Sequence, residues 1–330
     1  MTRTLLLAVV TASLVLPLGC GKRADVVLYT SVDREIAEPI IREFERRTGL
    51  IVELHTDTEA TRTAGLAERL AAEKSRPQAD VWWGNEMFHT IRLAESDVLT
   101  PYESPSAGRI ASQYKDAKNR WAGNGLRIRM IAVTTSSSGS AADTIQSIED
   151  LKRPELKGRI CMARPTAGTT GTQMAALYTI WGPKKTEEFL RALKDNGLKL
   201  VGGNSNVVEY VGQGQMWAGL TDNDDVSSAL REGGKLKGII PDQQPGAIGT
   251  LTIPTTVALV RGGPHPDAGK KLIDYLLSEE VEKKLLEANF ARASVSTTNA
   301  GPRAMKVDYA EAAKNLPAAV EMAMRVLEGK

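Results

Sequence analysis

From residue 25 onward, short runs rich in β-branched and aromatic residues alternate with longer segments whose apolar residues recur at helical spacing. Residues 26–30 form the first β-type run, and residues 34–48 carry isoleucines and a phenylalanine along one helical face. Further β-type runs follow at 50–54 and 79–83, with a helical segment at 60–76 between them. This alternation is typical of an α/β fold with a mainly parallel sheet, which is the fold that we predict.

Two long β-type runs divide this pattern. Residues 126–133 alternate polar and apolar side chains, and residues 249–260 form the second run. We predict that both runs are strands crossing between two open α/β lobes. Lobe 1 would comprise residues 25–126 and 250–300, lobe 2 residues 127–249, and residues 301–330 a C-terminal helical segment. Helices are predicted at about 172–181, 184–195 and 265–288.

The N-terminus has the layout of an export signal. A basic start at residues 1–3 precedes an apolar stretch that closes at Leu18-Gly19-Cys20, and this combination is typical of signal peptides. Residues 1–20 are therefore predicted to be a signal peptide. Its end resembles a lipoprotein box in which Cys20 is acylated, which would place the protein in the periplasm or at the cell surface on a lipid anchor. A plain cleaved signal and an uncleaved anchor are the alternatives.

Composition argues against several classes of function. The 42 basic and 40 acidic residues give a net charge of +2 without a long run of either sign, so no nucleic-acid partner is expected. The three histidines and two cysteines are isolated in sequence, and no metal-binding or nucleophile motif is formed. We expect no enzyme and no cofactor.

Two strand-to-helix turns offer sites for an anion. Residues 165–173 contain four threonines and two glycines before a helix, and backbone N–H groups and hydroxyls at a helix N-terminus bind anions. The preferred contacts are Thr166, Thr169 and Thr170, with Asn204 and Asn206 from the second turn and Arg127 from the crossing strand, where it shares a face with Arg129. Helix capping and a solvent-facing arginine are the alternative interpretations.

Polar residues also follow the strands of lobe 1. Ligands of open α/β sheets bind at the carboxyl ends of strands. Ser31 and Asp33 follow the first strand and Glu86 the third, so each is a candidate ligand contact. An N-cap is the alternative for Ser31 and Asp33, and a solvated loop is the alternative for Glu86. Thr58, Glu59 and Thr61 are weaker candidates after the second strand.

An acidic cluster follows the last strand predicted in lobe 2. Asp222, Asp224 and Asp225 lie within four residues, and charges this close need water, a cation or hydrogen-bond donors. At a cleft edge they would suit a metal cation, an ammonium group or sugar hydroxyls; a solvated turn is the alternative. Together with the anion site, they indicate a ligand with a donor-rich and an acceptor-rich end.

Several stretches occur in the order found in one family. They are Tyr29-Thr-Ser-Val-Asp33, Pro77-Gln-Ala-Asp-Val81, Gly202-Gly-Asn-Ser205 and His265-Pro-Asp-Ala268. From about residue 25 to 300 the chain resembles the periplasmic substrate-binding proteins of ABC importers, of the ferric-iron-binding type. The resemblance implies a type 2 periplasmic binding fold that closes on its ligand at a hinge, with an ABC permease in the inner membrane as partner.

The resemblance also bears on the ligand. Ferric-binding members ligate iron through two adjacent tyrosines, and Asp224-Asp225 stand at the matching place. Carboxylates, like phenolates, suit a hard trivalent cation, so Asp224 and Asp225 are candidate metal ligands. We predict a solute-binding protein for ferric iron with a synergistic anion.

Three alternatives remain open at this stage. One is a binder of a small molecule bearing phosphate, phosphonate or carboxylate. Another is a secreted hydrolase that uses paired carboxylates, such as Glu86 and Asp224. The third is a sensory lipoprotein.

Overall fold

The computed structural model describes residues 24–57, 64–136, 141–166, 168–296 and 301–329. The predicted signal peptide with Cys20 lies outside these residues, as do Thr58, Glu59 and Thr61. No helix in the described ranges combines the length and the apolar character that a membrane span requires.

Lobe 1 begins with the alternating elements that the sequence pattern indicates. The helix Arg34–Thr48 buries an apolar face that includes Ile40 and Phe44, and Gly49 ends it because its left-handed φ of 73° lets its N–H donate to the Glu45 carbonyl. The elements are β1 (Val26–Thr30), α1 (Arg34–Thr48), β2 (Val52–Thr56), α2 (Ala64–Ala72), β3 (Val81–Gly84), α3 (Met87–Glu95) and β4 (Leu99–Thr100).

Strand β5 (Ala122–Thr134) carries the chain into lobe 2, and β10 (Thr252–Val260) carries it back. Lobe 2 contains β6 (Ile160–Ala163), α4 (Gly168–Asp195), β7 (Lys199–Val201), α5 (Asn204–Gly212), β8 (Ala218–Asp222), α6 (Asn223–Arg231) and β9 (Leu236–Ile239). After β10 come α7 (Pro266–Leu276), α8 (Glu279–Glu287) and α9 (Tyr309–Glu328).

The strands form one path in the order β2-β1-β3-β10-β5-β8-β6-β7, with β4 beside β10 and β9 beside β5. Strand β5 pairs with β10 through Leu126 and Ile128, and then with β8 from Arg129 onward. The two predicted crossing strands are thus present. Residue boundaries for the lobes at 126/127 and 249/250 remain a proposal.

The prediction of a mainly parallel sheet was wrong. β1 is parallel to β2 and β3, and β6 is parallel to β7 and β8, as expected for strands joined by helices. The crossing strands, however, pair antiparallel with every neighbour, which makes the sheet mixed. A strand that returns between lobes must run against its outgoing partner.

Three further element predictions need correction. The two helices predicted at 172–181 and 184–195 are both present within α4, where the non-helical Gly182, with φ 77° and ψ 166°, separates them, but the first begins at Gly168 rather than at residue 172. The single helix predicted over 265–288 is α7 and α8, because the Ser278 hydroxyl accepts from the Val281 N–H and starts a new helix. Strand β2 lies two residues later than predicted, at Val52–Thr56.

Helix α9 packs against both lobes. It lies along α4 of lobe 2 and also contacts α3 of lobe 1. One continuous apolar cluster contains residues of α3, α4 and α9, including Phe88, Met174 and Ala319. Near the crossing strands, the Tyr309 hydroxyl lies 2.9 Å from that of Thr252. The C-terminal segment therefore joins the two lobes on this side of the molecule.

Candidate functional site

The acidic cluster lies where β8 gives way to α6. Asp222 is the last residue of β8 and is opposite Arg129 in the β5–β8 register. Asp224 and Asp225 fall in the first turn of α6, where a helix N-terminus stabilises negative charge. Asp222 is fully buried and the Asp224 side chain is 11% exposed, so the cluster is not a solvated turn.

Asp222 is held by four donors. Its Oδ1 accepts from Arg129 Nη1 at 2.7 Å, and its Oδ2 accepts from Arg127 Nη2 at 2.8 Å. The Thr169 hydroxyl and the Asn204 amide donate to Oδ2 at 2.5 and 3.1 Å. Burial alone would raise the pKa of Asp222, but the two arginines outweigh it and hold that pKa below its usual range. Asp222 therefore remains ionised.

Arg127 links the cluster to lobe 1. Its Nη2 also donates to both oxygens of Asp224, at 2.9 and 2.8 Å, and its Nη1 donates to the Asn85 carbonyl at 3.3 Å. The guanidinium carbon lies 5.0 Å from the centre of the Phe290 ring, a distance at which a cation is attracted to the ring face. One side chain of a crossing strand thus contacts both lobes.

The carboxyls of Asp224 and Asp225 have less compensating positive charge and fewer hydrogen-bond donors than that of Asp222. Burial, opposed by Arg127 and assisted by the charges of Asp222 and Asp33, raises the pKa of Asp224 to about 6. Burial and the neighbouring Asp224 and Asp222 raise the pKa of Asp225 well above its usual range. Carboxylate oxygens of Asp222, Asp224 and Asp225 lie within 4.8 Å of one another. The group therefore favours an added positive charge.

A small cavity of about 50 Å³ adjoins the cluster on one side. Helix α4 begins there at Gly168 and α5 begins there at Asn204, so two helix N-termini face it. The predicted site residues on its wall are Arg127, Thr166, Thr169, Thr170, Asn204, Asp222 and Asp225.

A wider cleft of about 900 Å³ opens on the other side, between the start of α1 in lobe 1 and helices α5 and α6 in lobe 2. Asp225 lines both cavities, whereas Asp33 and Asp224 line only the cleft. The ionisable residues along its wall are mostly acidic: Asp33, Glu35, Glu209, Asp224, Asp225 and Glu232 against Arg231 and Lys235.

Three predicted site residues line neither cavity. Ser31 is buried, and its hydroxyl contacts Asn85. Glu86 is also buried and caps α3, with its carboxylate accepting from the Phe88 and His89 N–H groups. Asn206 caps the start of α5 through the Gly203 N–H at 3.1 Å and faces a separate groove. Asn206 thus takes the capping role that was its alternative interpretation. Ser31 bonds Asn85 instead of capping α1, and Glu86 is a buried cap rather than part of a solvated loop.

Other residues at the site were not predicted. Asn85 and Arg164 line the small cavity, and each directly follows a strand, a position that could have identified them. Asn223 accepts from the Ile128 N–H and donates to the Phe290 carbonyl, which ties α6 to β5. Phe290 lies far along the chain, and no local pattern marks it.

Comparisons with known proteins agree with this fold. A relative from Neisseria meningitidis serogroup B, named major ferric iron-binding protein, is 26% identical over 316 residues, covering 92% of each chain. A putative 2-aminoethylphosphonate-binding periplasmic protein of Salmonella typhi is 24% identical over 227 residues, 68% of this chain and 65% of the relative.

Among solved structures, the apo ferric ion-binding protein A of Pasteurella haemolytica matches with a TM-score of 0.80 at 22% identity, over 91% of this chain and 97% of that one. The two-lobed fold and the family resemblance predicted from the sequence are confirmed. The family model for bacterial extracellular solute-binding proteins matches residues 26–290, and the chain belongs to that family.

Proposed function

We propose that this protein is the solute-binding component of an ABC importer and captures ferric iron together with an anion. The observation that carries the proposal is the group of three carboxylates, Asp222, Asp224 and Asp225, whose oxygens approach within 4.8 Å beside an acidic cleft. Hard oxygen ligands suit a trivalent cation. A bound cation would offset the burial and the like-charge repulsion that raise the pKa of Asp224 and Asp225.

The anion would occupy the small cavity next to the carboxylates. Thr166, Thr169 and Thr170 line it around two helix N-termini, a combination that suits an oxyanion. The Thr169 hydroxyl already donates to Asp222, so Thr166 and Thr170 are the hydroxyls that would donate to the anion. Asp225 lines the small cavity and the cleft. Cation and anion could therefore be bound side by side, which would reduce the cost of burying either charge alone.

The wider setting follows from the family. Relatives named as ferric iron-binding support the choice of ligand. The protein would reside in the periplasm or at the cell surface, held to the membrane by a lipid on Cys20, and would release its ligand to the permease on opening. Binding and release need no catalytic step.

A second candidate ligand is a small molecule that bears a phosphate, phosphonate or carboxylate. Arg127 favours this ligand class, because its positive charge already pairs with Asp222 and Asp224 and so takes the place of a bound cation. A relative carries the name 2-aminoethylphosphonate-binding. A carboxylate-dependent hydrolase is less well supported, because Glu86 lines neither cavity and its oxygens accept hydrogen bonds within the protein.

Thermal shift measurements on the apo protein test the proposal. Ferric nitrilotriacetate with phosphate, present at 100 times Kd, should stabilise the folded protein by about 2.7 kcal/mol, which corresponds to roughly 4 °C for a chain of this size. Asp224→Ala and Thr170→Ala should each abolish the shift. Asp267→Ala, whose side chain is 91% exposed on α7, is the control and should keep it.

The same assay separates the two ligand classes. A shift with 2-aminoethylphosphonate or a sugar phosphate, and none with ferric iron plus phosphate, would replace iron by the second candidate. A shift that persists in both Asp224→Ala and Thr170→Ala would place the ligand elsewhere.

A further inference from the structure

Nη2 of Arg127 lies within hydrogen-bonding distance of more acceptor oxygens than it has hydrogens. Nη2 carries two hydrogens, yet it lies 2.8 Å from Asp222 Oδ2 and 2.9 and 2.8 Å from the two oxygens of Asp224. At least one of these contacts must be shared. The two carboxylates therefore compete for the same edge of the guanidinium.

The competition is unequal. Asp222 is also held by Arg129, Thr169 and Asn204. Among the described residues, Arg127 is the only side chain seen to donate to Asp224. Asp224 is therefore the partner that Arg127 loses most easily.

Arg127 and Asp224 also face different cavities. Arg127 lines the small cavity, where the threonines and helix N-termini lie, and Asp224 lines the wide acidic cleft. Their ion pair lies between the two proposed halves of the ligand site. A cation in the cleft would contact Asp224, and an anion in the small cavity would contact Arg127.

The guanidinium would remain anchored after leaving Asp224. Its Nη1 donates to the Asn85 carbonyl at 3.3 Å, it lies 5.0 Å from the Phe290 ring centre, and it keeps its contact with Asp222. These contacts hold the side chain within reach of the small cavity. The change required is an exchange of partners rather than a large movement of the arginine.

We propose that Arg127 exchanges partners when the ligand binds: the cation takes Asp224 from the guanidinium, which then pairs with the anion in the small cavity. This rests on the proposed function and names the residue that couples the two halves of the ligand. Each half releases the group that the other half needs, so each strengthens binding of the other. Coupling of this kind is typically about 5- to 150-fold in affinity.

The first test uses inorganic phosphate alone, without metal, and isothermal titration calorimetry. Asp224→Asn removes the competitor for Arg127 and should tighten phosphate binding about tenfold or more over the wild type. Asp225→Asn removes a carboxyl of the same turn that lines the small cavity but does not bond Arg127, and it is the matched control; any gain that it gives should survive when Arg127→Met is added. The gain of Asp224→Asn should vanish when Arg127→Met is added to it.

The double variant removes both Arg127 and the Asp224 carboxylate, so neither member of this ion pair is left as an unpaired charge. Thermal melting serves to check that each variant is folded. If Asp224→Asn binds phosphate no more tightly than the wild type, or if its gain survives in the double variant, the exchange does not occur. This outcome is independent of iron and so is distinct from failure of the proposed function.

The second test uses ferric nitrilotriacetate with and without phosphate. Wild type should bind the metal at least fivefold more tightly when phosphate is present. In Arg127→Met, binding without phosphate should be stronger than in wild type, and phosphate should make little difference. An undiminished phosphate effect in Arg127→Met would contradict the exchange, whereas no iron binding by wild type would contradict the proposed function.

Discussion

Replacing Asp222 by asparagine removes the carboxylate that both buried arginines share. Arg129 is fully buried, and within the described residues Asp222 is the only carboxylate paired with it, at 2.7 Å. Arg127 keeps Asp224, whereas Arg129 keeps only neutral partners. Leaving a buried charge without its counter-ion costs about 3–5 kcal/mol. Asp222→Asn should therefore lose that much of an unfolding free energy of about 5–15 kcal/mol.

Urea unfolding at pH 7 measures this loss, with an unchanged m-value as the sign that only stability has altered. Asp225→Asn is the matched control from the same turn. Its carboxyl accepts from the Thr221 hydroxyl at 3.3 Å, and burial and neighbouring aspartates raise its pKa. Because neutralising it removes repulsion, the control should be as stable as wild type or more stable.

The control also has a pH signature. A carboxyl whose folded-state pKa is raised stabilises the fold below its unfolded pKa and loses that contribution as the pH rises through the folded value. The advantage of Asp225→Asn over wild type should therefore grow from pH 5 to pH 8. The reasoning is refuted if Asp222→Asn costs less than about 1 kcal/mol, the low end for an unsatisfied buried group, or if both variants lose equally.

Two further predictions concern residues outside the carboxylate cluster. Burial would raise the pKa of Glu86, but His89 and two backbone N–H groups outweigh it and hold the pKa low. Its contribution is thus present above its unfolded pKa and is lost as the pH falls through the folded value. Glu86→Gln should cost about 1–3 kcal/mol at pH 7 and much less near pH 3, as measured by urea unfolding at both pH values; an equal cost at both would contradict this. A Cβ at Gly219 would collide with Val207, so Gly219→Ala should cost about 1–3 kcal/mol in the same assay. Gly108→Ala, where a Cβ meets nothing within 4 Å, should be neutral, and equal losses in the two glycine variants would rule out the steric explanation.

Elements with a strong local signal were predictable from the sequence. Strand β1 and helix α1 lie at the predicted residues, 26–30 and 34–48, because period and capping are encoded within each segment. Helix α6 was not predicted. Its first turn, Asn223-Asp224-Asp225, consists of weak helix formers that are favoured at a helix N-terminus, so the same letters indicate either a turn or a helix start.

The grouping of site residues was partly predictable. Residues that follow strands, such as Asp33 after β1 and Asp225 after β8, line the cleft because ligand crevices in open α/β sheets lie at the carboxyl ends of strands. The pairing of Arg129 with Asp222 depends on the antiparallel register of two strands far apart in the chain. No local pattern encodes such a register, and the ion pairs of Arg127 and Arg129 were therefore unforeseen.

Helix α9 restricts how this molecule can open. Because α9 packs on α3 and α4 at once, separating the two lobes beside this helix would expose their shared apolar cluster to water. The two lobes would therefore stay in contact along α9 and separate mainly at the acidic cleft of about 900 Å³. A ligand in this cleft would then enter and leave at residues such as Asp33 and Asp225, away from α9.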